Sequence, residues 1–208
     1  MLADKGLRPS VLNQSTRRST LQGLVTLLLA CLAGLRTPAD AIMTMRLSLE
    51  QITANSDRAF VGRVVGVHSG RDSAGVPSTW VTFAVTQPLA GRVGSEVTIK
   101  QFGATEALAD GTAVHFPGVP TYRPGDELVL FLSGESDAGF CAPIGLGQGT
   151  FPIAHRNGRT VVTATTENVG ALGQARAAQP RGARMPSETD LDDFLGVVRS
   201  LIAKRPSR

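Results

Sequence analysis

From Leu47 to Val162 the apolar residues recur mainly at a spacing of two, in short segments marked off by Gly, Pro, Asn and Asp. A period of two is the signature of strands, whose side chains alternate between faces. The early exception is LSLEQITAN, Leu47 to Asn55, where Ser48 and Gln51 have capping-box spacing and Leu49 and Ile52 share one helical face. A short helix is expected there. AFVGRVVGV, Ala59 to Val67, is apolar on both faces; Gly62 and Gly66, four apart, are expected on one side of a strand, leaving room for curvature. In WVTFAVT, Val81, Phe83 and Val85 alternate with Trp80, Thr82, Ala84 and Thr86, and in EVTIK, Val97 and Ile99 alternate with Glu96, Thr98 and Lys100. Three such runs in succession predict an antiparallel meander.

RPGD, Arg123 to Asp126, fits a type II turn, with Pro124 fixing φ at its second position and Gly125 supplying positive φ at its third. It feeds ELVLFL, whose unbroken apolar run Leu128 to Leu132 predicts a central strand buried on both faces. Asp126 and Glu127 are adjacent in that strand, so they face opposite ways and do not form a carboxylate pair. Asn157-Gly158 is a two-residue hairpin signal between Phe151, Ile153 and Val161, Val162. Pro152 lacks a donor and predicts an edge strand or a bulge. The total is five or six strands. Residues 167–186 mix Gly, Ala, Pro and Arg without a period and predict a flexible linker. In residues 187–208, Leu191, Phe194, Leu195, Val198, Leu201 and Ile202 repeat at three and four behind a capping Ser187, which predicts an amphipathic helix.

The first 41 residues follow a different logic. Arg17 and Arg18 precede LQGLVTLLLACLAGL, a run of signal-peptide length that is short for a membrane span. Ala39 and Ala41 supply the small side chains that signal peptidase requires, which predicts cleavage after Ala41. TRRSTLQ resembles the twin-arginine export pattern, and LLAC at Leu28 to Cys31 resembles a lipobox that would acylate Cys31. The expected location is therefore the periplasm or outside the cell, with no transmembrane span after processing. Five of the 21 Lys and Arg and two of the 17 Asp and Glu fall in this leader, so residues 42–208 carry a formal charge of +1. That balance gives no basis for nucleic-acid or anionic-lipid binding. Cys141 is the sole cysteine of that span, which excludes an internal disulfide framework and leaves stability to an apolar core.

Candidate chemistry is sparse. His68, His115 and His155 are widely separated and no HxxxH, HExxH or CxxC spacing occurs, so no metal or other cofactor is expected. Gly134-Glu135-Ser136 begins like a nucleophile elbow, but the G-x-S-x-G pattern would need glycine at Ala138. A serine hydrolase would have to combine Ser136 with His155 and a carboxylate such as Asp137. GLGQG lacks the third glycine of a dinucleotide fingerprint and precedes a strand. Ala104 to Tyr122 is long for a connecting loop and carries His115, Phe116 and Tyr122, the candidate recognition residues.

The succession LSLEQITANSDRAFVGRVVGV, STWVTFAVTQPLAG, SEVTIKQFG, FPGVPTYRPGDELVLFL and GLGQGTF, within residues 47–154, resembles exported bacterial domains without assigned chemistry. More distantly, its order is similar to the netrin-type module of tissue inhibitors of metalloproteinases. That resemblance implies an oligonucleotide/oligosaccharide-binding (OB) barrel. In those inhibitors an N-terminal cysteine reaches the target's zinc and paired cysteines brace the module, whereas processing after Ala41 would start this chain at Ile42. The expectation is a mainly β, OB-like antiparallel barrel over residues 42–166 with a short N-terminal and a C-terminal helix. It would be a non-enzymatic binding or accessory module for an unidentified protein or small ligand, with metalloprotease inhibition as a narrower version.

Overall fold

The computed structural model describes residues 45–165, 168, 171–172 and 188–205. The leader, with Ala39, Ala41 and Cys31, lies outside the described residues. Helix α1 (Leu49–Asn55) is followed by strands β1 (Arg58–Arg71), β2 (Pro77–Ala90), β3 (Glu96–Phe102), β4 (Glu127–Leu132), β5 (Thr150–Arg156), β6 (Arg159–Thr163) and β7 (Glu188–Asp190), then helix α2 (Leu191–Ala203). The strands form one antiparallel sheet in the order β3-β2-β1-β4-β5-β6-β7. The protein is thus mainly β, with the expected meander at its start, but the ladder is open, with β3 and β7 as its edges. Among the described residues seven strands replace the five or six predicted; the extra one, β7, has only three residues, too few to show a period.

Local chemistry explains most of the boundaries. Ser48 caps α1 in a complete capping box with Gln51. The β1–β2 hairpin extends further than its apolar runs, because Asp72 closes a tight turn by accepting from the backbone N–H of Ala74 and Val76. Gly125 has φ +98°, and the Asp126 N–H donates to the Arg123 carbonyl at 3.0 Å, so RPGD is the turn that feeds β4. Asn157 (φ +51°) and Gly158 (φ +73°) both take the left-handed conformations of a type I′ turn. Asp190 caps α2; Ser187, the expected cap, lies outside the described residues.

Three expectations change. First, Gly62 and Gly66 do not share a face. Val64 pairs with Phe83 and Gly66 with Thr82, so Val65 is an extra, bulged residue that reverses the alternation beyond it. Second, Pro152 is not on an edge: β5 lies between β4 and β6, and Pro152 is where it passes from one partner to the other. Its missing N–H falls at that change of partner. Third, within the span read as a linker, Asn168, Ala171 and Leu172 are buried, and Asn168 Nδ2 donates to the Thr150 carbonyl at 2.6 Å.

Burial divides the core in two. One cluster combines Phe60, Val64, Val81, Phe83, Val97, Ile99, Tyr122, Leu128, Leu130, Leu132 and Cys141 on one face of β1–β4. The other packs Val61, Val129, Phe131 and Phe151 from the opposite face against Leu49 and Ile52 of α1 and Phe194, Leu195 and Val198 of α2. β1 and β4 therefore bury both faces, as the run ELVLFL requires. Phe60, Phe83, Phe131, Phe151 and Phe194 are fully enclosed, each stabilising the fold by roughly 1.5–3 kcal/mol relative to exposure. The amphipathic stripe of α2 is thus used within its own domain.

Candidate functional site

The end of β3 begins the site. Its inward positions are Val97, Ile99 and Gln101, and its outward ones end with Lys100 and Phe102. Gly103 (φ +96°) then turns the chain so tightly that a Cβ there would stand 2.5 Å from the Val114 carbonyl oxygen. Ala104 and Val114 exchange backbone hydrogen bonds and pin the base of the long loop. A second turn, closed by Val119 N–H to the Phe116 carbonyl, returns Phe116 towards Phe102.

The result is a row of rings. Phe102 stacks on Phe140 with centroids 3.7 Å apart and planes 6° from parallel, and Phe116 meets Phe102 edge-on at 6.3 Å. Lys100 Nζ stands 4.1 Å above the Phe140 ring while bonded to Asp72 Oδ2 at 2.7 Å and the Ala138 carbonyl at 3.0 Å. The hydrogen bond from Lys100 is the main cause holding the Asp72 carboxyl below its usual range. Phe102 remains 50 % and Phe116 47 % exposed.

Beside the rings lies a cleft of about 710 Å³, walled by Phe102, Phe140, Pro143, Leu146, Cys141 and Gln101 among others. That size suits a small organic ligand, and the wall is predominantly apolar. Leu146 is 39 % exposed and has φ +65°, a left-handed conformation that costs a non-glycine residue about 1–2 kcal/mol. An exposed leucine held in such a conformation is the kind of strain that collects at working sites. Cys141 is buried, donates from Sγ to the Ser133 carbonyl and accepts from Arg58 Nη2 at 3.5 Å; burial pushes its thiol up.

A second, more polar groove of about 490 Å³ includes Arg63, Tyr122, Glu127 and His155. Glu127 is bonded by Arg63 and by His155 Nε2, the latter at 2.7 Å, while His155 Nδ1 lies 3.2 Å from Thr160 Oγ1. The Arg63 hydrogen bonds, then that of His155, hold the Glu127 carboxyl below its ordinary value. Asp126, its neighbour, accepts from the Arg123 N–H within the turn, so the two carboxyls serve separate purposes.

The sequence candidates are dispersed. Phe116 joins the aromatic row and His115 is exposed on the same loop, but Tyr122 turns inward. It is 5 % exposed, packs edge-on against Phe83, and has its hydroxyl 3.2 Å from Thr150 Oγ1; burial raises its pKa. Ser136 Oγ accepts from the Phe140 N–H and borders the apolar cleft, whereas His155 borders the polar groove, so the serine–histidine pairing is not assembled. His68 stacks on Trp80 across the β1–β2 hairpin. Among the described residues no three His, Cys, Asp or Glu side chains come together as metal ligands, and no helix is long and apolar enough to cross a membrane. Phe102 was the legible omission: an aromatic on the face of β3 shared with Glu96, Thr98 and Lys100. Phe140 and Leu146 sit in irregular segments where no period reports their direction.

No model of a known protein family matches the chain, and no curated protein matches it.

Proposed function

We propose that this chain is an exported, non-catalytic, OB-like β-barrel module that acts by binding, with the cleft beside Phe102, Phe116, Phe140 and Leu146 as its recognition site. The observation that carries this reading is the combination of stacked, half-exposed rings with a strained, exposed leucine at one apolar cleft. Apolar side chains held open in this way are a surface for a partner.

The barrel part of the proposal draws support from residues 140–143. Lys100 bridges Phe140 in parallel and Leu132 bridges Pro143 antiparallel, with Cys141 N–H donating to the Lys100 carbonyl and Ser133 N–H to the Ala142 carbonyl, both at 2.9 Å. A four-residue segment thus spans from β3 to β4. Counted as a short strand, it would turn β1 to β4 into a closed ring around the cluster of Phe60, Phe83 and Leu130.

Titration of the full chain with a neutral apolar fluorophore such as Nile red tests the site. Binding should weaken about tenfold on Phe102→Ser with Phe140→Ser, the loss of roughly one buried aromatic contact. No binding, or binding indifferent to both substitutions, overturns the proposal.

The metalloprotease-inhibitor version is favoured by one contact set. Gln148 Oε1 accepts from the Leu47 N–H at 2.7 Å and Gln148 Nε2 donates to the Met45 carbonyl at 3.0 Å, which ties residues shortly after the expected new terminus at Ile42 to a side chain two positions along the chain from Leu146. Inhibition of a metalloprotease by the processed protein, abolished by one extra residue before Ile42, would support it; absence of inhibition removes it.

A further inference from the structure

Two of the residues lining the aromatic cleft are charged, Lys100 and Glu135, and they are placed in opposite ways. The Lys100 ammonium has three donors, and it meets Asp72 Oδ2 at 2.7 Å, the Ala138 carbonyl at 3.0 Å and the face of the Phe140 ring. That ion pair is also withdrawn from water, its two side chains being 15 % and 6 % exposed. In the pair of Glu135 with Arg58 the acid is the outer member: its side chain is 55 % exposed against 22 % for the arginine, whose Nη2 lies 3.0 Å from Oε1. The same Arg58 Nη2 stands 3.5 Å from Cys141 Sγ, which fixes the carboxylate beside a residue of the cleft wall. A carboxylate can accept about four hydrogen bonds, and among the described residues Glu135 Oε2 receives none. Asp137, exposed on the same loop, forms no ion pair among the described residues, so residues 134–138 and Arg58 together set two carboxylates against one guanidinium.

From this asymmetry we infer that the cleft takes a small amphipathic cation, an aromatic or branched aliphatic body carrying one ammonium group, with the ammonium at Glu135 Oε2. The inference rests on the binding reading above and adds the ligand's chemical class. The body matches the rings of Phe102 and Phe140 and the side chain of Leu146. Because Glu135 is half in water, an ammonium beside it keeps part of its hydration while gaining a charge-assisted hydrogen bond. Arg58 stays on Oε1, and the charge of Asp137 offsets its repulsion of the incoming cation. A ligand carboxylate would meet the opposite balance, repelled by Glu135 and Asp137 while Lys100 and Arg58 already hold counter-ions.

Three probes of nearly equal size separate the possibilities when titrated calorimetrically into the full chain at pH 7: 2-(aminomethyl)naphthalene, which is protonated, 2-(hydroxymethyl)naphthalene and 2-naphthoate. At low salt the expected order places the ammonium about fivefold tighter than the alcohol, the scale of one exposed ion pair, with the carboxylate weakest. Raising the salt to about 500 mM should shrink that preference below about twofold and leave the alcohol's affinity in place. In Glu135→Gln the ammonium should fall to the affinity of the alcohol, whose own affinity is unchanged. Equal binding of ammonium and alcohol by the wild-type chain at low salt overturns the inference, as does an ammonium preference that survives Glu135→Gln or high salt, or a preference for the carboxylate. Should Glu135→Gln fail to fold, the wild-type salt series alone decides. Alcohol binding that is intact without an ammonium preference refutes only the cation, whereas failure of all three probes refutes the binding reading itself.

Discussion

Replacing each of two glycines of β1 by alanine should have opposite consequences, although both sit in the same strand four residues apart. A Cβ at Gly62 would lie 3.0 Å from the Ala84 carbonyl oxygen and 3.0 and 3.1 Å from the Phe60 ring. The carbonyl is fixed by the β1–β2 ladder, and Phe60 is fully buried with its ring 5.8 Å from that of Phe83. Neither neighbour yields without disturbing the core, so the overpacking penalty is about 1–3 kcal/mol. At Gly66 the nearest atom to the new Cβ would be Thr82 Cβ at 3.8 Å, an ordinary contact. Both substitutions narrow the unfolded ensemble equally, a gain of about 0.4–1 kcal/mol that cancels between them. The difference is then the overpacking penalty alone. For a domain of this size that amounts to a gap of roughly 2–12 °C in melting temperature. Thermal unfolding followed by circular dichroism should place Gly66→Ala at or slightly above the wild type and Gly62→Ala below it. Melting temperatures within about 1 °C of one another, or in the reverse order, would refute the bulge at Val65 and the facing it imposes.

Two further expectations concern the grooves. Because Arg63 and His155 hold the Glu127 carboxyl below its ordinary value of 4.5, its contribution is fully present above that pH and lost as pH falls through the lower folded value. Glu127→Gln should therefore cost about 1 kcal/mol or less per exposed partner at pH 7, and urea midpoints of variant and wild type should converge in acid; a gap that widens there contradicts the assignment. Leu146→Gly relieves a left-handed residue, so the melting temperature should stay within a few degrees while apolar probe binding drops; a large loss of stability would instead make Leu146 a structural residue.

The regular parts of the fold were legible because each carries a local cause. Ser48 with Gln51, Gly125 after Pro124, and Asn157-Gly158 each specify backbone geometry within four residues, and all three form as expected. The run Leu128 to Leu132 states its own two-sided burial. What failed had non-local causes. Nothing in AFVGRVVGV marks Val65 as the bulged residue, since Val64, Val65 and Val67 all suit a strand and Gly66 signals an irregularity without fixing where it falls; the choice is made by the pairing with Phe83 and Thr82. Tyr122 and Phe116 are indistinguishable as loop aromatics until the turn at Arg123 sends one inward and the Phe102 ring receives the other. The row Phe102, Phe116 and Phe140 joins three segments that only the closed loops bring together, which is why the sequence offered the loop but not the cleft.

The burial of both faces of β4 has a practical consequence for anyone wishing to shorten or transplant this protein. Helix α2 seals the outer core through Phe194, Leu195 and Val198, and just beyond it Arg205 Nη2 reaches back to Ser56 Oγ at 2.7 Å, beside α1. A truncation that discards α2 strips the cover from Phe131 and Phe151 and leaves a greasy plane prone to self-association. The smallest portable unit is therefore sheet plus both helices, and a reporter is better fused after residue 205 than substituted for what precedes it.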